Sequence, residues 1–153
     1  MYLYHGSPSK LTVLKPTQPR GFDEFTKLDA VFLTDNKKEA MLYAIARDKK
    51  RENKGWAIFK NKLYILNKHR PFKFNKKGYL YTITNKVDCI VSSDHPHQYA
   101  ILCPVEPDKW MEVFPEDIVN DVAYIDEKGK KNLERRMLMV MMGRLRNCGR
   151  LSL

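Results

Sequence analysis

The sequence predicts an α+β fold, on three observations. Residues 30–34 read as a strand and run straight into a segment whose apolar residues recur at helical spacing. From Trp56 to Ile125 short apolar runs alternate with turn residues, as strands do. A second helical pattern then closes the chain. One early helix, many short strands and a terminal helix is the order expected of an α+β domain.

Tyr2, Leu3, Tyr4 and His5 form a short strand that Gly6-Ser7-Pro8 breaks. Leu11, Val13 and Leu14 begin a second extended piece that ends near Pro16. Pro16, Pro19 and Gly21 lie among charges, so 16–29 reads as a loop. After strand 30–34, Asp35 or Asn36 caps a helix that reaches about Lys50, with Ala40, Met41, Ala44 and Ile45 at helical spacing and Tyr43 beside them. Residues 49–55 are an exposed turn. Residues 56–59 and 63–66 are short apolar pieces, and Asn75-Lys76-Lys77-Gly78 is a turn before the alternating strand 79–83. Residues 87–91 and 99–102 follow as strands. Residues 110–114 and 122–125 flank Pro115-Glu116-Asp117. Residues 129–147 form a helix with Leu133, Met137, Val140, Met141 and Leu145 on one stripe. No internal repeat or low-complexity segment occurs.

At 153 residues, 43% apolar and 30% charged, the chain has the composition of one globular domain and not of a disordered one. We divide it into a core, 1–127, and a basic terminal helix and tail, 128–153. No apolar run approaches the ~18–20 residues of a membrane span, and the first residues lack the features of a signal peptide. Cys89, Cys103 and Cys148 are odd in number and widely spaced, which supports neither a disulfide framework nor a zinc site and points to a reducing cytoplasm.

The formal charge is +10. From Lys128 onward eight basic residues face one acid, Glu134. Such a surface attracts polyanions, nucleic acid or an acidic protein among them, and it also serves solubility alone. Met137, Met139, Met141 and Met142 crowd the same segment as Arg135, Arg136, Arg144 and Arg146. They read either as a stripe docked on the core with the arginines in water or as an adaptable partner surface.

Three segments carry candidate chemistry. The first is Tyr4-His5-Gly6-Ser7 at a strand end. The second is Val31-Phe32-Leu33-Thr34-Asp35, leading to Tyr43 within Ala40-Met41-Leu42-Tyr43-Ala44. The third is Gln98-Tyr99-Ala100-Ile101, a polar residue opening a late strand. Taken singly, His5 also reads as a loop residue, Tyr43 as core packing and Gln98 as a solvated strand edge. Together and in this order the segments resemble the ADP-ribosyltransferase fold family. The likeness is to its His–Tyr–(Glu/Asp/Gln) branch, which holds the poly(ADP-ribose) polymerases, the diphtheria-type toxins and the rifampin ADP-ribosyltransferases. The resemblance spans residues 2 to about 103, and the stretch from Phe32 to Tyr43 keeps the polymerase spacing without a gap.

The resemblance implies a split antiparallel β core with a helix after the second motif strand. It implies NAD as substrate and transfer of one ADP-ribose to an acceptor, with nicotinamide released. His5 would bond the ribose on the nicotinamide side, Gly6 would present its backbone to the carboxamide, and Ser7 would support the ribose or adenosine side. Phe32 and Tyr43 would sandwich the nicotinamide ring, an aromatic cation suited to stacking. Gln98 stands where the family's catalytic carboxylate stands.

The chain departs from the family pattern twice. The strand tyrosine is Phe32, which keeps the ring and loses the hydroxyl. The carboxylate is an amide, which can orient ribose by a hydrogen bond but offers no charge to an oxocarbenium-like transition state. Glu106 and Glu112 come later, the first in a Val-Glu-Pro turn. An inactive NAD-binding member of the fold and a basic nucleic-acid or partner-binding protein stay open beside the transferase. His95-Pro96-His97 reads as a polar turn with no further ligand nearby except Asp94, so no metal is expected, and Cys103 reads as a buried structural thiol.

Overall fold

The computed structural model describes residues 1–17, 25–47, 55–84, 88–92 and 97–150, with the backbone alone at 141 and 143–150. Among these residues nine strands and two α-helices follow in order: β1 (Tyr2–Ser7), β2 (Val31–Thr34), α1 (Lys37–Ala46), β3 (Trp56–Phe59), β4 (Lys62–Leu66), β5 (Gly78–Thr84), β6 (Ile90–Val91), β7 (Gln98–Ile101), β8 (Lys109–Val113), β9 (Val122–Ile125) and α2 (Glu127–Arg150). The α+β expectation holds at this level. A six-stranded sheet has the order β6-β7-β2-β1-β5-β8, and all its pairings are antiparallel. A three-stranded sheet, β3-β4-β9, contains one parallel pair, β4 with β9. Among the described residues no helix is long and apolar enough to cross a membrane.

Helix α1 lies between the two sheets. Ala40, Leu42, Ala44, Ile45 and Ala46 are all buried, against Leu80 and Val113 of the large sheet and Leu63 and Ile65 of the small one. After the charged first turn, Lys37-Lys38-Glu39, the helix is apolar on all sides, as a segment packed between two layers is. The opposite face of the large sheet has its own cluster, Leu3, Val31, Leu33, Tyr81, Ile83 and Ile101, roofed by Leu14 and Val105.

Two glycines set how closely α1 approaches. A Cβ on Gly6 would stand 1.9 Å from the Ala40 carbonyl oxygen, and one on Gly78 would stand 2.4 Å from that of Ala44. The helix backbone therefore rests directly on β1 and β5, which is open only to residues without a side chain.

Several boundaries differ from expectation. β1 continues through Gly6 to Ser7, because six consecutive residues pair with β5. The extended piece at 11–16 is no strand. It touches the rest through isolated bridges, Leu14 with Val105 and Thr17 with Ala30. α1 stops at Ala46 and not near Lys50, with Arg47 extended. Asn75 brings this about from across the chain. Its backbone N–H donates to the Ile45 carbonyl at 3.0 Å, and its side-chain amide donates to the Ala44 carbonyl at 3.0 Å and to that of Arg47. Those are the carbonyls a helix end leaves without partners. The N-cap is Asn36, whose Oδ1 accepts from the Glu39 N–H at 3.3 Å. α2 begins at Glu127 and runs to Arg150, where residues 129–147 were expected. Cys103 is exposed and not buried. Pro19, Gly21, the turn residues 49–54, Val87, His95 and Pro96 lie outside the described residues.

Gly6→Ala and Gly78→Ala should each lower stability by roughly 3 kcal/mol, since a backbone oxygen cannot yield as a side chain can. Urea unfolding measures this. Losses under ~0.5 kcal/mol, the range of indifferent surface changes, would show that α1 does not rest on these strands.

Candidate functional site

The three motif segments come from distant parts of the chain, and the strand order β7-β2-β1 sets them side by side. Tyr4 pairs with Thr34, and Thr34 pairs with Gln98, so these residues form one row across the three strands. Tyr4–Thr34 is the single paired position between β1 and β2, whereas β1 and β5 share six. Past Tyr4 the sheet is split along the β2 edge of β1.

His5 sits at that split. Its Nδ1 lies 2.8 Å from the Phe32 carbonyl oxygen. A carbonyl only accepts, so Nδ1 carries the proton. Burial, the largest influence, holds the ring's pKa below 6.5; the bond to Phe32 opposes this and the Arg47 charge reinforces it. The ring is therefore neutral at neutral pH, and Nε2 keeps its lone pair. His5 offers an acceptor, suited to a hydroxyl donor such as a sugar's.

Phe32 is half-buried, and Phe25 meets its ring edge-on at 5.6 Å. Tyr43 meets Trp56 edge-on at 5.8 Å, and burial first, then the nearby Glu39 charge, pushes its phenol up to about 12. Phe32 and Tyr43 thus each have another aromatic neighbour. Gly6 is buried, and its Cα supports α1. Ser7 is buried too, and its Oγ accepts from the Ser9 N–H at 3.1 Å, closing the turn after β1.

Gln98 is half-buried and opens β7. Its neighbours on both sides hold one carboxylate. The Tyr99 hydroxyl donates to Asp35 Oδ2 at 3.0 Å, and His97 Nδ1 lies 2.7 Å from Asp35 Oδ1. The Asp35 N–H donates to the His97 carbonyl at 3.2 Å. Asp35, offered by the sequence as a helix cap, instead anchors the start of β7 and fixes where Gln98 emerges. Glu106 is exposed, and Glu112 on β8 pairs with Lys77 at 3.0 Å.

Strand alternation separates the candidates into two sets. Phe32 and Gln98 share a face with Tyr4, towards α1, while His5 shares a face with its partner Tyr81. A ligand that touches both sets has to sit in the split itself.

Sequence reasoning missed Tyr81. Its hydroxyl donates to the Ser9 carbonyl at 3.0 Å and accepts from the Leu11 N–H at 2.5 Å, and its ring centroid lies 6.3 Å from that of His5. It pins the segment that follows the His-Gly-Ser motif. The alternating pattern at 79–83 marks Tyr81 as inward-facing, but no local signal reveals partners about seventy residues away.

A depression of about 480 Å³, lined by Arg70, Pro71, Phe72 and Tyr124, lies on the side of the small sheet and not on the motif strands. Among the described residues no three His, Cys, Asp or Glu side chains gather as metal ligands would. Comparison of the chain with protein-family models, with curated proteins and with solved structures returns no match.

Two predictions follow from His5 and Tyr81. An unfolded histidine titrates near 6.5 and the folded His5 below it. Between those values the unfolded chain holds a proton that the native one lacks, so stability rises with pH through that window and is lost as pH falls. His5→Asn keeps a donor for Phe32 and removes the titration. Relative to it, the wild type should lose stability as pH drops below 6.5; a difference independent of pH contradicts the neutral ring. Tyr81→Phe should cost about 1–3 kcal/mol, because the Ser9 and Leu11 backbone groups lose a buried partner. Hydrogen exchange at the Leu11 amide should quicken in the same variant.

Proposed function

We propose that the chain is an NAD-dependent mono-ADP-ribosyltransferase whose site is the split between β1 and β2. The observation that carries this reading is the adjacency of the three motif strands in the order β7-β2-β1, with His5 bridging the split to the Phe32 carbonyl. That order sets three segments far apart in sequence side by side. The reading includes a cytoplasmic, single-domain protein that holds Cys89 and Cys103 as thiols.

On this reading NAD enters the split with its nicotinamide near Phe32 and Tyr43. His5 Nε2 accepts a hydrogen bond from a hydroxyl of the adjacent ribose and fixes the sugar. The glycosidic C–N bond breaks, its electron pair leaves with nicotinamide, and positive charge develops on the ribose ring. The acceptor's nucleophilic atom then forms the new bond to the anomeric carbon. Gln98 contributes orientation, since its amide oxygen can accept from a ribose hydroxyl but carries no charge. It cannot remove a proton from the acceptor, which suits an acceptor that is nucleophilic without a base. The same amide favours a second reading, an inactive NAD binder, in which the ribose is held and not cleaved.

Nicotinamide release by wild type, Gln98→Ala and Gln98→Glu, with and without cell extract, separates the two. The transferase reading predicts an active wild type and a Gln98→Ala variant that still binds NAD but loses most transfer. It predicts that Gln98→Glu matches or exceeds wild type, because charge now stands beside the developing cation. Equal release by wild type and Gln98→Ala would make Gln98 a bystander. A silent wild type that binds NAD supports the second reading. In both, His5→Ala should weaken NAD binding by more than the ~1 kcal/mol of one hydrogen bond.

A further inference from the structure

The β8 edge of the large sheet, on the face opposite α1, carries a second constellation outside the split. β8 is an edge strand, and its Trp110 pairs with Tyr81, which pairs with His5. Trp110, Tyr81 and His5 therefore form one row on one face. The Trp110 side chain is 49% exposed, a large apolar surface to leave in water. The Lys10 ammonium lies 4.2 Å from the centre of its ring. Lys10 stands between Ser9 and Leu11, whose backbone groups the Tyr81 hydroxyl holds, so its backbone position beside β8 is fixed. Tyr79, half-buried, adds a second ring 6.2 Å from Trp110. The carboxylate opposite Tyr79 in register, Glu112, is paired with Lys77.

We propose that this edge is a docking surface for single-stranded nucleic acid, with Trp110 as a platform for a base and Lys10 as a phosphate contact. Single strands are bound by cations that meet the backbone and by aromatic rings on which unstacked bases lie, and Trp110 and Lys10 bring both together; on binding, the base takes the ring and the ammonium moves to the phosphate. A duplex keeps its bases stacked inside and has nothing to lay on Trp110. An acidic peptide would satisfy Lys10 and leave the indole exposed. The net charge of +10 supplies the general attraction. Trp110 is two strands from His5, roughly 10 Å by ordinary strand spacing, so a bound strand passes close to the split. That a nucleotide of this strand is the acceptor rests on the transferase reading; the binding itself does not.

Anisotropy of a fluorescein-labelled 15-mer of oligodeoxythymidine, titrated with the full chain at ~50 mM salt, tests the proposal. Trp110→Ala should weaken binding between about fivefold and about a hundredfold, the effect of losing one stacked base. Trp110→Phe should fall between it and wild type. Lys10→Ala should reduce the salt dependence of the logarithm of affinity by about 0.7, the share of one phosphate contact. A duplex of equal length should compete less well. Unchanged melting temperatures of the variants show that a loss is not unfolding. Absence of binding at this salt overturns the proposal, and so does equal competition by polyglutamate. Binding that ignores Trp110→Ala and Lys10→Ala but disappears when Arg144, Arg146 and Arg150 are replaced together assigns it to α2 instead, and also overturns the proposal.

Discussion

The contact on which the structure depends is backbone on backbone: the carbonyls of Ala40 and Ala44 lie against Gly6 and Gly78, where no Cβ fits. Helices usually meet sheets through side chains. Here small residues on the helix and glycines on two adjacent strands remove that spacer. The closer seat lets one short helix touch both sheets at once and bury all of Ala40, Leu42, Ala44, Ile45 and Ala46. It also ties β1 to β5 over six paired residues on one side while β2 departs on the other after one. The split that holds His5 follows from that asymmetry.

A split sheet leaves backbone groups that a ladder would have satisfied, and side chains take over. His5 reaches the Phe32 carbonyl across the gap. Asp35 gathers His97, Tyr99 and a backbone carbonyl at the start of β7. Asn75 takes the carbonyls at the end of α1. Tyr81 holds the segment after β1 through two backbone groups. Each of these is a polar group satisfied inside the fold, and among the described residues no buried side-chain nitrogen or oxygen lacks a partner. Rigidity around the split therefore comes from a few side-chain bonds with long sequence separation, and single substitutions reach it.

Local pattern made most elements legible. Alternation marked β5, apolar runs marked β3, β4 and β9, and a polar residue after an apolar strand marked the start of α1. The β3–β4 connection, Lys60-Asn61, has φ of 46° and 63°, the paired positive values of a tight hairpin turn, although it lacks the glycine that advertises one. What stayed hidden was set by partners far along the chain. The pattern at 37–50 permits a longer helix, and Asn75 ends it. Nothing near residues 63–66 says that their parallel neighbour is 122–125. Asp35 has the composition of a cap and the position of an anchor. The motif residues were legible as types and spacings, and their strand adjacency was not, because it is set by pairings between distant segments. Their division between two faces was not either, because it depends on the register in which β1, β2 and β7 pair.

On the proposed reading, His5 is a neutral acceptor that faces a sugar in the split. Nitrogen NMR of the protein labelled with ¹⁵N-histidine, with the His5 signals assigned by comparison with His5→Asn, tests it most directly. At neutral pH the ring should show a protonated Nδ1 and a bare Nε2. Addition of NAD should move the Nε2 resonance as it accepts a hydrogen bond and leave Nδ1 on Phe32 unchanged. A proton on Nε2 in place of Nδ1, a charged ring at neutral pH, or a His5 spectrum indifferent to NAD would contradict the claim.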